Sequence, residues 1–463
     1  MNDIKQVLKR FLLILMTVQI LLGMMWILCN FFRAEQFSET ERYVSAAAGG
    51  AIDEYMGVLY PVLIKTAQVL TSPFGGQYEI VLCLLQLIVA FIGCSGFVAL
   101  AGCTTIAGDV TITDGRTKQS WFGGLFLMTI PLNVQWHLTI LPNSLVASLF
   151  FLLLGIVIRA YHDPGFRNIR MICRVSILWA LMILLMPDYL WFGAVPVVFG
   201  AVLVIRQSGK LVKGKQYLNS LGRIVVVLLL SAVLAGGINS LVQKPGSGGR
   251  IQKSLGASMV SRLVWPNFGT NYFFWPEEIK TIMTEAEGSE ISQYADNVQL
   301  VFGPMVEAAY GQEEADRLYW NMALQCVKDR TKETLQAIGE DLKAYLCPPW
   351  VVKDQLDGAG LSYSGWNYGK MRSAAPALTK WYVNYGLYVF RVGIVIALAY
   401  GVLKRLYKKK GRKKRCGAII LSVSCIILQA VWYTMSGAGM MDYGNVCVIT
   451  MLWYSIIWTV YHE

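Results

Sequence analysis

Long apolar runs separated by short polar ones set the plan of this chain. Runs approaching membrane length fall at about 11–32, 80–102, 121–134, 138–158, 172–187, 189–205, 222–242, 384–403, 416–435 and 445–461. Roughly 20 apolar residues carry a helix across a bilayer. The pattern therefore predicts an all-α polytopic membrane protein with about ten transmembrane helices. The stretches 121–158 and 172–205 are short for two crossings each. Each also fits one longer tilted helix or a hairpin of short helices. The first run lacks the small-residue cleavage site of a signal peptide and is too long for its apolar core, so it reads as a retained anchor.

The pattern changes after residue 243. KPGSGG, Lys244 to Gly249, reads as a flexible exit from the membrane. Arg262 to Glu278 follows, with Trp265, Tyr272, Phe273, Phe274 and Trp275. These aromatics suit a membrane-interface belt, and sugar stacking is the alternative. From about Pro276 to Leu346 the segment reads as helix. Ala315, Leu318, Tyr319, Met322 and Cys326 recur there at three- and four-residue steps. Two prolines in CPPW, Cys347 to Trp350, stop the helical pattern. The chain divides into an N-terminal bundle (1–243) with its first outer loop at 33–79, a mostly helical extracytoplasmic insertion (244–383) and a C-terminal bundle (384–463).

Composition agrees with a membrane protein: 463 residues, 55% hydrophobic, mean hydropathy +0.48. A soluble fold of this size cannot hide so much apolar surface. Charge then fixes the orientation. With the N-terminus in the cytoplasm, 23 Lys/Arg fall in cytoplasmic segments and three (Arg33, Arg42 and Lys65) in the short outer loops. Both termini are then cytoplasmic. The run KRLYKKKGRKKR, Lys404 to Arg415, reads as an anchor at an anionic inner leaflet, not as a nucleic-acid site. This fits a bacterial plasma membrane, with an endoplasmic reticulum membrane as the alternative.

Eight of the ten cysteines lie in or beside the spans, where they act as small apolar residues. Cys326 and Cys347 lie in the insertion. On one straight helix they stand about 31 Å apart, so a disulfide requires the chain to fold back, near Asp329–Lys332.

The three histidines are His137, His162 and His462. The chain has no H-E-x-x-H, Walker A or paired C-x-x-C pattern, so zinc proteolysis, ATP-driven transport and zinc ribbons lack their parts. The remaining polar groups gather at the outer ends of the spans. The first loop holds Glu39, Glu41, Arg42, Asp53, Glu54 and Lys65. His137 and Asn143 flank the third and fourth spans, Asp188 sits between the fifth and sixth, Arg391 lies inside the eighth, and Asp442 precedes the last. Carboxylates at the mouth of a bundle are costly beside lipid and point to chemistry or ion handling. One of them can serve as general base toward an acceptor hydroxyl. An arginine at that level suits a lipid phosphate. For a single acid, ordinary loop charge is the simpler reading, and Glu39 with Arg42 also fits a helical i,i+3 pair. For His137 the simpler reading is an interfacial hydrogen-bonding residue.

ETERY, Glu39 to Tyr43, then DEYMGVLYPVL, Asp53 to Leu63, PNSL, Pro142 to Leu145, and MPDYL, Met186 to Leu190, together resemble motifs of the C-superfamily integral-membrane glycosyltransferases. That group includes the protein O-mannosyltransferases and the aminoarabinose transferases. The O-mannosyltransferases also carry a soluble insertion between the seventh and eighth spans, where this chain has one. The likeness covers mainly residues 1–243. Thr40 interrupts the acidic pair, Asn143 replaces the family's aspartate, and Tyr60 stands where P-P-L has its first proline.

The resemblance implies transfer of a sugar from a polyprenyl-phosphate donor to a glycan, lipid or protein acceptor on the extracytoplasmic face. It leaves the base open between Glu39 or Glu41 and Asp53 or Glu54. Arg391 and Arg42 are the candidates for the departing phosphate, followed by Lys65. No cofactor is assigned, and a divalent metal is left open. The alternatives are a transporter or flippase of a lipid-linked saccharide, and a non-enzymatic scaffold.

Overall fold

In the computed structural model the described residues are 2–31, 38–53, 56–101, 114–163, 166–211, 215–244, 254–260, 279–282, 285, 301–346 and part of 377–392. Nearly all their regular structure is helix, as the apolar periodicity requires. The first run forms α1 (Asn2–Asn30). The first loop is itself folded, into α2 (Ser38–Ala47), β1 (Ile52–Asp53) and α3 (Leu59–Thr71). Then come α4 (Tyr78–Ala101), α5 (Asp114–Met128), α6 (Pro131–His137) and α7 (Asn143–His162). They are followed by α8 (Ile169–Leu185), α9 (Tyr189–Phe192), α10 (Ala194–Leu211), α11 (Lys215–Val242) and β2 (Gln243–Lys244).

Four stretches among the described residues are long and apolar enough to cross a membrane: Leu13–Asn30, Tyr78–Leu100, Asn143–Tyr161 and Ile224–Val242. The two ambiguous regions turn out to be broken helices. Residues 121–158 hold the end of α5, a break at 129–130, short α6 and most of α7. Residues 172–205 hold most of α8, a turn, short α9 and most of α10. Most of the expected span at 384–403, and those at 416–435 and 445–461, lie outside the described residues.

Helix α7 is the centre of the bundle. Its apolar stretch is 78% buried, against 17% for that of α11, which turns Val226, Leu229, Val233 and Leu241 outward as a lipid-facing helix does. Helix α4 packs against both α7 and α5. Lipid tails are as apolar as leucine, so such contacts depend on close van der Waals approach. Gly93 allows it on the α7 side, where an added Cβ would lie 2.4 Å from the Ser148 carbonyl oxygen. Gly124 of α5 allows it on the other, where a Cβ would lie 2.0 Å from Ser95 Oγ.

The break between α5 and α6 frees backbone carbonyls inside an apolar layer, where each needs a donor. The side chains supply them. Gln19 of α1 donates from Nε2 to the Thr129 carbonyl at 2.8 Å, and the Tyr382 hydroxyl donates to the same oxygen. Asn133 donates from Nδ2 to the Leu127 carbonyl at 2.9 Å. Tyr382 and Thr379 also hold Trp26, through a stacked ring contact and a 3.0 Å bond from Trp26 Nε1 to Thr379 Oγ1. The segment after the insertion thus packs on α1.

The insertion contains α12 (Leu255–Met259), α13 (Gly303–Tyr310), α14 (Gln312–Asp329) and α15 (Thr331–Leu346). They enclose a second apolar core, with Phe302, Val306, Tyr319 and Met322 at its centre. Helix α14 buries Ala315, Tyr319, Met322 and Cys326, the periodic positions of the sequence, with Leu318 half-buried beside them. The helix breaks at Arg330, within the stretch where a disulfide would need the chain to fold back. Cys326 nonetheless carries a free thiol, 3.8 Å from Thr334 Oγ1, and Cys347 lies outside the described residues.

The α4–α7 contact leaves no room for a methyl group at Gly93. Gly93→Ala is expected to cost about 1–3 kcal/mol, read as a lowered Tm of the purified chain in detergent. Ala at Gly236, which has nothing within 4 Å, should leave Tm unchanged or raise it.

Candidate functional site

The first loop does not hang from the bundle; it is built into one end of it. Arg42 on α2 and Asp53 on β1 form an ion pair, with side chains 22% and 4% exposed. Ten residues separate the partners, and the α2–β1 turn closes the gap. That turn uses Gly49, whose φ of +102° suits a residue without Cβ. The Gly50 amide then bonds back to the Ser45 carbonyl at 2.9 Å.

Four further ties hold this unit in place. Strand β1 pairs in parallel with β2, matching Ile52 with Gln243 and Asp53 with Lys244. Asn239, near the end of α11, accepts from the Val58 amide at 3.2 Å and donates to the Ile183 carbonyl of α8 at 2.8 Å. Gln243 donates to the Met56 carbonyl at 2.5 Å. Gly57 lies against the end of α8 so closely that a Cβ would fall 2.2 Å from the Leu184 carbonyl oxygen. The loop is therefore clamped between α8 and the exit toward the insertion.

A second cluster joins the loop to the turn before α7. Gln86 of α4 is fully buried and saturated. Its amide donates to the His137 and Thr139 carbonyls at 3.1 and 2.9 Å, and its oxygen accepts from the Tyr60 hydroxyl at 3.3 Å. Tyr60 meets Tyr43 edge-on at 5.3 Å between ring centres, one residue from Arg42. Thr40 of α2 donates to the Ile140 carbonyl at 3.2 Å. The first half of α2, the start of α3, the α6–α7 turn and the ends of α8 and α11 thus meet at one end of the bundle.

The expected site residues divide accordingly. Arg42 and Asp53 are together, and His137 and Asn143 are buried in the adjoining turn. Asp188 is half-buried three residues beyond the α8 end that Gly57 contacts. Glu41 sits beside Arg42 on α2 and is exposed. Lys65 is exposed on the face of α3 opposite Tyr60, Ile64 and Ala67, and the fold does not bring it to the pair. Glu39 is helical in α2, and nothing of its side chain is described. Glu54, Arg391 and Asp442 lie outside the described residues. Among the described residues no group of three His, Cys, Asp or Glu side chains could hold a metal ion.

The connectors Gln86, Asn239 and Gln243 were not singled out by the sequence reading. Their signal is a lone amide within or at the end of an apolar run, as in IVLCLLQLIVAF and LAGGINSLVQ. Such a residue must find a partner in the bundle.

His137 is held by a buried hydrogen bond. Its Nδ1 lies 2.6 Å from Ser144 Oγ, and both side chains are buried. Burial pushes its pKa down to about 4, with the Met128 carbonyl acting in the opposite direction. The shift favours the neutral imidazole. No family model, curated protein or solved structure matches this chain.

Two predictions follow from this geometry. Asp53→Asn leaves the Arg42 guanidinium mostly buried without its anion and is expected to cost about 3 kcal/mol. Adding Arg42→Gln should recover part of that loss in a double-mutant cycle of Tm values. The second concerns pH. His137 binds its proton less readily folded (pKa about 4) than unfolded (about 6.5), so the unfolded chain gains protons first as pH falls. Stability should be level above pH 6.5 and fall between 6.5 and 4, by at most about 3 kcal/mol. His137→Gln should remove that part of the slope in thermal unfolding curves.

Proposed function

We propose that the chain is a membrane glycosyltransferase, moving a sugar from a polyprenyl-phosphate donor to an acceptor on the extracytoplasmic face. The supporting observation is the buried Arg42–Asp53 pair in a loop docked onto the bundle mouth. An acidic loop without function would be free to float in solvent, and burying its charge in a clamped unit is costly. The likeness of residues 39–43 and 53–63 to the first-loop motifs of C-superfamily transferases points the same way.

In this reading the carboxylates have separate roles. Asp53 is engaged with Arg42 and positions it. Glu41, exposed one residue away, has access to an acceptor and serves as general base. The acceptor hydroxyl oxygen attacks the anomeric carbon and gives its proton to Glu41. The bond from that carbon to the phosphate oxygen breaks, and polyprenyl phosphate departs with the electron pair. Arg42 faces the charge that grows on the leaving phosphate. The insertion, joined to the loop through β2, supplies part of the acceptor site.

A transporter of a lipid-linked saccharide is the second reading. It draws on the broken α5–α6 segment, since interrupted helices often line transport sites.

The test is release of polyprenyl phosphate by the purified chain from a panel of polyprenyl-phosphate sugars. Glu41→Gln should lower turnover by about 100-fold or more without moving Tm. Full activity in Glu41→Gln removes Glu41 as base. Binding of donors with no turnover by the wild type favours transport, and no binding of any donor removes both readings.

A further inference from the structure

At the opposite end of the bundle the α7–α8 turn carries a basic surface that the transfer reaction does not use. Arg159 lies in the last turn of α7, with its guanidinium 4.6 Å from the centre of the Phe166 ring. Arg167 donates to the Ala160 and Tyr161 carbonyls at 2.6 and 2.8 Å, closing the end of α7 with a positive charge. Arg170 and Arg174 stand one turn apart on α8, and both are exposed. The described acid in this turn is Asp163, which acts on Arg167. Four arginines therefore face one acid between residues 159 and 174.

The same face of α8 changes character along its length. Ile177, three residues past Arg174, is 60% exposed, and Leu181 and Leu184 continue the stripe half-buried. Ile169, beside Arg170, is 45% exposed. The stripe reads arginine, arginine, isoleucine, leucine, leucine from the helix start toward its mouth end. That order matches one phospholipid molecule standing along the helix, with its phosphate at the arginines and an acyl chain on the apolar residues. Guanidinium forks suit phosphate oxygens, and basic residues at a membrane surface each attract anionic lipid.

We propose that the Arg170–Arg174 face of α8 is a binding site for an anionic phospholipid of the surrounding bilayer. A zwitterionic lipid carries the same phosphate with a compensating cation, so the site discriminates by net headgroup charge. The two exposed arginines provide the discrimination, while Arg159 and Arg167 hold the shape of the turn and add background charge.

The experiment uses the delipidated full chain in neutral detergent, titrated with phosphatidylglycerol or phosphatidylcholine and followed by native mass spectrometry and by Tm. Phosphatidylglycerol should bind at least about 10-fold more tightly than phosphatidylcholine, from about 1 kcal/mol per arginine. R170Q/R174Q should lose that preference while keeping its lipid-free Tm, and R170K/R174K should keep most of it. Equal affinity for the two lipids overturns the proposal. So does an unchanged preference in R170Q/R174Q, which would assign the charge effect elsewhere on the chain. Both results are independent of whether the opposite end of the bundle transfers sugar.

Discussion

Wherever a helix of this bundle stops inside the apolar layer, the backbone groups it frees must find partners. Water is absent there, and an unpaired carbonyl or amide costs several kcal/mol. The fold meets this demand at the α5–α6 break with neutral amides, and the same kind of side chain ties the bundle mouth together. Gln19 and Asn133 close the end of α5, Gln86 holds the carbonyls of the α6–α7 turn, and Asn239 joins α8 to the first loop. Gln19, Gln86 and Asn239 each reach a segment distant in sequence. The breaks become the joints at which the bundle is tied together.

These joints also determine what the first loop can be. A loop of this length between two spans could simply be solvated. Here Thr40, Tyr60, Met56 and Val58 are each bonded to a different element of the bundle. The loop therefore has one position, and the ion pair within it has one environment. Preorganisation of this kind is what a charged site near lipid requires, because positioned charges act more strongly in a layer that excludes water.

The helical class and the buried face of α14 were legible in the sequence, because helix periodicity is a local property. Of the polar groups read at the outer ends of the spans, Arg42, Asp53, His137, Asn143 and Asp188 lie at one end of the described bundle, while Lys65 is not brought to the pair. The connections were not legible. That Gln86 serves the α6–α7 turn, or that β1 pairs with β2 some 190 residues on, depends on which helices adjoin, and periodicity is silent on that. Which carboxylate is buried was equally hidden. DEY and ETE read alike as acidic clusters, but only the three-dimensional fold turns Asp53 inward to Arg42 and leaves Glu41 outside.

The two ends of the bundle treat charge in opposite ways, and the difference follows from where the charge must act. At the basic end the guanidiniums of Arg170 and Arg174 are left exposed beside apolar residues, a setting in which charge attracts headgroups without the cost of desolvation. At the mouth, Arg42 is mostly covered and is paired with the buried Asp53 carboxylate. A matched pair contributes little net stability compared with apolar residues of the same size. What it provides is a fixed guanidinium orientation, since a fork held by one carboxylate cannot swing freely. That is of little use for anchoring to a fluid lipid surface. It is of use toward a ligand whose phosphate must be met in one place, and this is the physical ground on which the mouth, not the basic end, is the place to look for chemistry.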